Sequence, residues 1–148
     1  MKRLSFKVNS LNFTAFVEGE KLKALKYIDL NGLDCHPLLK ETKKQIEAYF
    51  LGKLQSFDLP LKLEGTEFQK RVWKNLLKIP YGKIISYKEL AQMTESPKAY
   101  RAVGSANGKN PISLIIPCHR VVAADGTLGG YSSGVKIKRK LLKIEGSI

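Results

Sequence analysis

The hydrophobic period changes once along the chain, and that change most limits the folds open to it. Up to about residue 30 the pattern has the two-residue period of strands: Leu4, Phe6 and Val8 alternate with Ser5 and Lys7. Phe13 to Val17 is aromatic and β-branched, Gly19-Glu20 marks a turn, and Leu22 to Leu30 resumes the strand pattern. A small antiparallel meander is expected there. From Pro37 onward the period is helical. Pro37 suits a first helical turn. Leu38, Leu39, Thr42, Ile46, Tyr49 and Phe50 fall on one face, and Gly52 is a fitting stop. Strands first and helices afterwards predict an α+β fold.

Lys53 to Lys62, with Pro60, reads as a connector. It divides the chain into an N-terminal α/β lobe at 1–60 and a mainly helical lobe at 61–148. In the second lobe Thr66 and Gln69 have capping-box spacing. Phe68, Val72, Leu76 and Ile79 form the apolar stripe that follows, with Trp73 and Leu77 widening it and Trp73 read as core. Ile79-Pro80-Tyr81-Gly82 is a turn. Ser86 with Glu89 repeats the capping box and opens a short helix, which Thr94-Glu95-Ser96-Pro97 breaks. A further helix is expected from Lys98 to about Gly108. Two short helices across a tight turn match a helix-turn-helix, a pattern shared by helical hairpins that touch no DNA. The small residues Ala102, Gly104, Ser105 and Ala106 let a backbone come close, either to a nucleic acid or to a neighbouring helix.

The run from Asn110 to Arg120 carries the chemistry. Ser113 to Ile116 is expected to be a short buried strand, stopped by Pro117, which cannot donate to a ladder. Cys118 and His119 then sit on the turn that leaves the core. A thiol becomes a good nucleophile when its pKa is lowered, and an adjacent His is a common partner. The other reading of such a residue is an inert core cysteine. Beyond it, Val121 to Ala123 reads as a short strand, Asp125-Gly126 as a turn, and Gly129 to Gly134 as a flexible loop able to approach a flat ligand. The last helix, Val135 to about Ile144, carries Lys136, Lys138, Arg139, Lys140 and Lys143 as a solvated or phosphate-facing surface, and ends at Glu145-Gly146.

Basic side chains outnumber acidic ones 26 to 13, giving a formal net charge of +13. That excess favours a polyanionic partner, nucleic acid before membrane. No apolar run approaches the roughly 20 residues of a membrane span. The N-terminus lacks the apolar stretch of a signal peptide, so a cytoplasmic protein is expected. In a reducing compartment the 2 cysteines, Cys35 and Cys118, have no need of a disulfide. Cys35-His36 and Cys118-His119 are adjacent pairs without the spacing of zinc ligands, so no metal is expected. Cys35 and His36 themselves read as ordinary loop residues.

Taken together, Ile116-Pro117-Cys118-His119-Arg120-Val121-Val122 resembles the active-site signature of the O6-alkylguanine-DNA alkyltransferases, the methylated-DNA–protein-cysteine methyltransferases. The same family is matched by Gly65-Thr66-Glu67-Phe68-Gln69, Val72-Trp73, Ile79-Pro80-Tyr81-Gly82, Ser86-Tyr87, Arg101-Ala102-Val103-Gly104, Asn110-Pro111 and Gly130-Tyr131-Ser132. Order and spacing fit without gaps from about Gly65 to Gly146, whereas the N-terminal lobe matches only in kind.

The resemblance implies a DNA-repair enzyme that moves an alkyl group from O6-alkylguanine in double-stranded DNA onto its own Cys118, once per molecule. O4-alkylthymine is a second candidate substrate. His119, through a water and oriented by Glu145, would take the thiol proton. Asn110 would hold the turn, and Tyr87 would protonate the leaving base. The base would be flipped out of the duplex. Arg101 would fill the gap, and Ala102, Gly104 and Ala106 would let their helix into the minor groove. Tyr131, Ser132 and the backbone of Val121 would line the base pocket. No cofactor, metal or membrane is implied. The protein would act as a monomer, with cooperative assembly on DNA left open. The zinc site of some relatives is not reproduced by Cys35 and His36. Two rival readings remain: a damage sensor or helix-turn-helix regulator of the same fold, and a Cys-His hydrolase, for which no oxyanion-hole feature is present.

Overall fold

The computed structural model describes all residues, 1–148, and they form two compact units. One comprises 1–64 with 111–115, the other 65–110 with 116–148. The expected boundary after residue 60 thus falls a few residues early. Residues 111–115, expected in the second lobe, instead pack with the first.

The first unit is an antiparallel sheet in the order β1 (Lys2–Val8), β2 (Leu11–Glu18), β3 (Lys21–Lys26), covered by helix α1 (Pro37–Phe50). Alternation explains the sheet: Phe13, Ala15 and Val17 of β2 and Leu22 and Leu25 of β3 are buried. Facing them, α1 buries Leu39, Thr42, Ile46 and Tyr49. β3 ends at Lys26 rather than near Leu30, because the chain there turns to bond Thr14. The Thr14 hydroxyl donates to the Ile28 carbonyl (2.7 Å) and accepts from the Leu30 amide (3.0 Å). The outer edge of β3 is not bare. Leu22 pairs with the 60–62 segment, and Leu25 bridges to Ile112.

His36 turns out to have a structural task. Its Nδ1 accepts the Leu38 amide at 3.0 Å and caps α1, and its Nε2 lies 3.1 Å from the Gly19 carbonyl. The second contact requires the proton on Nε2, so the neutral ring satisfies both.

Ser113 to Ile116 is not a strand. Ile112 makes an isolated bridge, after which the chain winds through a turn, with Leu114 at φ +72° and the Ile115 amide on the Ser113 carbonyl. Its apolar side chains are nonetheless buried. A short apolar run records burial but not backbone conformation.

The second unit is mainly helical. Its helices are α2 (Glu67–Leu76), α3 (Tyr87–Met93), α4 (Tyr100–Gly108) and α5 (Val135–Ile144). Two-residue strands β4 (Ile85–Ser86) and β5 (Val121–Val122) pair in parallel. Both expected capping boxes are formed, Thr66 with Gln69 on α2 and Ser86 with Glu89 on α3. α4 begins two residues later than expected, after Ala99, with no side-chain cap. Trp73 is core: its Nε1 donates to the Ala106 carbonyl at 2.8 Å and locks α2 to α4. No helix is long and apolar enough to cross a membrane.

Candidate active site

Cys118 opens a single 3-10 turn, Cys118–Arg120, and is buried. The preceding proline shapes its approach. Pro117 lies at φ −80°, ψ 63°, which bends the chain so that the Cys118 amide donates to the Ile116 carbonyl at 2.8 Å. The Asn110 carboxamide donates to that same carbonyl at 2.7 Å. One oxygen therefore fixes the turn from both sides.

Behind the thiol lies a buried charge network. Glu145, at the end of α5, accepts His119 Nε2 at 2.8 Å, Arg120 Nε at 2.8 Å and Arg120 Nη2 at 3.1 Å. Arg120 Nη1 donates to the Ile79 carbonyl at 2.6 Å. Burial pushes the Glu145 pKa up, but the hydrogen bonds from His119 and Arg120 outweigh it and hold the pKa at about 2. Burial lowers the His119 pKa, with Glu145 partly restoring it, so the ring is neutral. A neutral imidazole facing a carboxylate carries its proton on Nε2. Its Nδ1 is then a bare lone pair, and that atom is buried with no partner.

Cys118 opens onto a cavity of about 260 Å³, lined by Tyr87, Gly104, Asn107, Gly108, Gly130, Tyr131 and Ser132. Burial raises the thiol pKa, while Asn110, the nearby Lys138 cation and Tyr131 pull it back toward the thiolate. Burial, and then the Cys118 charge, raise the Tyr87 pKa, so its phenol keeps its proton. The Ser132 hydroxyl donates to the Gly108 carbonyl and ties the 129–134 loop to the end of α4. Gly129 stands at φ +71°, where an added Cβ would come within 3.2 Å of the Tyr87 ring. Only glycine fits beside that ring.

Of the residues singled out in the sequence, Cys118, Tyr87, Gly104, Tyr131 and Ser132 therefore meet at one cavity, with Asn110, His119 and Glu145 behind it. Arg101 and Ala102 lie on the exposed side of α4. Two placements differ from expectation. Ala106 is buried against Trp73 of α2, so it serves helix packing and not an open face. Val121 is buried in β5 and does not line the cavity. Its carbonyl instead takes Lys138 Nζ at 2.7 Å.

Lys138 is the residue that the sequence reading misplaced. Rather than lying on a solvated face, it is fully buried, and its ammonium also donates to the Gly130 carbonyl at 3.0 Å. It sits 5.9 Å from the centre of the Tyr87 ring. Burial lowers its pKa to about 8, partly opposed by Cys118. The signal was its spacing: Lys138, Leu141, Leu142 and Glu145 are the buried stripe of α5, and a lysine within such a stripe is costly unless it is put to use.

The family profile of the 6-O-methylguanine DNA methyltransferase DNA binding domain matches residues 67–147, and that of its ribonuclease-like domain matches residues 10–63. The chain belongs to the 6-O-methylguanine DNA methyltransferase family. A methylated-DNA–protein-cysteine methyltransferase of Methanosarcina barkeri is 54% identical over 126 residues, covering 84% of this chain and 80% of the relative. The Mycobacterium tuberculosis OGT solved in complex with DNA aligns over 99% of this chain and 94% of its own, with TM-score 0.91 and 42% identity. Schizosaccharomyces pombe Atl1, in complex with damaged DNA containing O6-carboxymethylguanine, covers 57% of this chain and 80% of its own, with TM-score 0.50 and 31% identity. The family's α+β architecture is the one described above.

Proposed function

We infer that the protein repairs O6-alkylguanine in duplex DNA by taking the alkyl group onto Cys118 in a single, irreversible turnover. The observation that carries this is a buried thiol at the wall of a cavity, backed by a neutral His119 whose free Nδ1 can accept a proton. Family membership supplies the substrate. The thiol proton passes to His119 through a water, and the adjacent Glu145 carboxylate stabilises the imidazolium. The Cys118 Sγ–carbon bond forms as the O6–carbon bond breaks, and the electron pair leaves on the guanine. Tyr87 protonates the departing base. The site's proton balance then closes when His119 returns its proton to the Tyr87 phenolate. The product thioether has no nearby group able to cleave it, so the protein is consumed.

A base within a duplex cannot reach a buried thiol, so the nucleotide turns out of the stack into the cavity. Tyr131 and Ser132 line its seat. Arg101, exposed in the first turn of α4, fills the vacated position. The surface of α4 that enters the minor groove is the exposed side with Arg101 and Ala102, while the net charge of +13 holds the phosphates. A reducing cytoplasm suits the chemistry, which needs Cys118 as a free thiol, and neither Cys35 nor Cys118 is paired.

Intact mass decides the matter. After mixing with duplex DNA holding one O6-methylguanine, the protein gains one methylene's mass, stoichiometrically, on the peptide that contains Cys118. Cys118→Ala binds the DNA and gains nothing. Tight binding of wild-type protein without any gain would instead make it a damage sensor.

A further inference from the structure

One turn grips the buried Glu145 network from outside. Residues 79–82 follow α2, and the Lys83 amide closes the turn on the Pro80 carbonyl at 3.1 Å. The Ile79 carbonyl accepts Arg120 Nη1 at 2.6 Å. The Tyr81 ring centre lies 5.8 Å from the Arg120 guanidinium carbon. The Tyr81 hydroxyl donates to the carbonyl of Ile144, one residue before Glu145, at 3.2 Å. Ile144 is the last residue of α5, so its carbonyl has no acceptor role within the helix and is free to take that bond. At Gly82, an added Cβ would stand 3.4 Å from the Glu145 backbone carbonyl. Tyr81 thus reaches Arg120 with its ring and the end of α5 with its hydroxyl. Its phenol registers both charges: burial raises its pKa, the Glu145 carboxylate raises it further, and Arg120 opposes them.

This grip matters because Glu145 serves two donors. Its Oε1 takes Arg120 Nε at 2.8 Å, while its Oε2 is shared between His119 Nε2 at 2.8 Å and Arg120 Nη2 at 3.1 Å. The charge left for His119 therefore depends on where the guanidinium lies. A guanidinium is a rigid planar fork, and few restraints fix its plane. Here they are the Ile79 carbonyl at one nitrogen and the Tyr81 ring beside it. An Arg120 that moved further onto Oε2 would crowd His119 off that oxygen, and an imidazolium formed there would lose its counter-charge.

We propose that Tyr81 is a positioning residue for the transfer reaction: its ring and hydroxyl hold Arg120 and the end of α5 so that Glu145 stays on His119. The proposal rests on the function inferred above and adds to it a residue that does not line the Cys118 cavity. Tyr81 acts through Arg120 and Glu145 on the base, and through the base on the thiol.

The test compares wild-type, Tyr81→Phe and Tyr81→Leu proteins. Phenylalanine keeps a ring over Arg120 and loses the hydroxyl, whereas leucine loses both. Single-turnover methyl transfer from a duplex with one O6-methylguanine is followed as a function of pH. Iodoacetamide labelling of Cys118 is followed over the same range without DNA. The charged and titratable groups around Cys118 and His119, namely Glu145, Arg120, Lys138, Tyr87 and Tyr131, stay in place in every variant. Tyr81→Leu should slow transfer about tenfold near neutrality and move its inflection about one pH unit higher, because a His119 less supported by Glu145 takes the thiol proton less readily. Tyr81→Phe should lie between leucine and wild type. All three should converge at high pH, where the thiolate forms without His119. The labelling profiles should move in the same way, and thermal melting should show both variants folded. A rate lowered by the same factor at every pH, or a lower melting point with an unmoved inflection, overturns the proposal and leaves the repair function standing. Wild-type protein that takes no methyl overturns the repair function alone, since the labelling profiles still decide whether Tyr81 acts on the thiol.

Discussion

Lys138 acts on the Cys118 thiol through its charge, where Asn110 acts through a hydrogen bond. Its ammonium favours the Cys118 thiolate, and it holds the carbonyls of Val121 and Gly130 together. Lys138→Met removes the charge and leaves both carbonyls without that donor. The Cys118 thiol should then titrate at higher pH. Its alkylation near neutrality should slow about tenfold for every tenfold loss of thiolate. The pH profile of iodoacetamide labelling, read by mass on the Cys118 peptide, checks this; an unmoved inflection would remove Lys138 from the account. The cysteine, the histidine and the distant Glu145 were legible in the sequence because a dense motif match surrounds them. Lys138 was not. A lysine among lysines reads as surface until its place in the apolar stripe is noticed.

At the scale of elements, α4 sets a conflict between stability and reach. Gly104 lies in its interior, where glycine costs about 1 kcal/mol relative to alanine. An added Cβ would stand 3.8 Å from Tyr87 Cδ1, an ordinary contact, so Gly104→Ala should fold well and melt about 3 °C higher. The same methyl projects toward Tyr87 at the cavity wall, and methyl transfer from duplex DNA should slow. Calorimetry and a transfer assay on one preparation test both halves, and an unchanged melting point would mean that glycine's freedom is not the cost here. The helices were readable because their signals are local: the two capping boxes, the Pro37 start and the glycine stops each sit within one turn. The supposed strand at Ser113 to Ile116 failed for the opposite reason. Its burial comes from partners distant in the sequence, and four apolar residues carry no period from which to tell a strand from a turn. Ala106 failed likewise, since only the structure shows that its face meets Trp73.

For the molecule as a whole, the Glu145 network should govern stability in acid. Glu145 has an ordinary pKa of 4.5 and a folded value of about 2, so its contribution is complete above about pH 4.5 and is lost as pH falls toward 2. A pKa lowered that far corresponds to roughly 3 kcal/mol. His119 acts in the same direction. Its folded pKa lies below the ordinary 6.5, so the unfolded chain binds its proton first, and stability starts to decline below that pH. Unfolding free energy should therefore ease downward from about pH 6.5 and fall steeply below 4.5. Glu145→Gln keeps the shape but loses the charge, and it leaves Arg120 buried without its counter-ion. Breaking a buried pair from one side costs about 3–5 kcal/mol, so the variant should be weaker by that amount at pH 7. The gap should then narrow as pH falls below 4.5, because the unfolded wild type gains a proton at Glu145 that the folded protein, with its pKa at about 2, does not take up, whereas glutamine has no proton to gain. Urea titrations at pH 7, 5 and 3.5 measure it. A gap that persists undiminished at the lowest pH would mean that hydrogen-bond geometry, and not the carboxylate charge, joins the last helix to the Cys118–Arg120 turn.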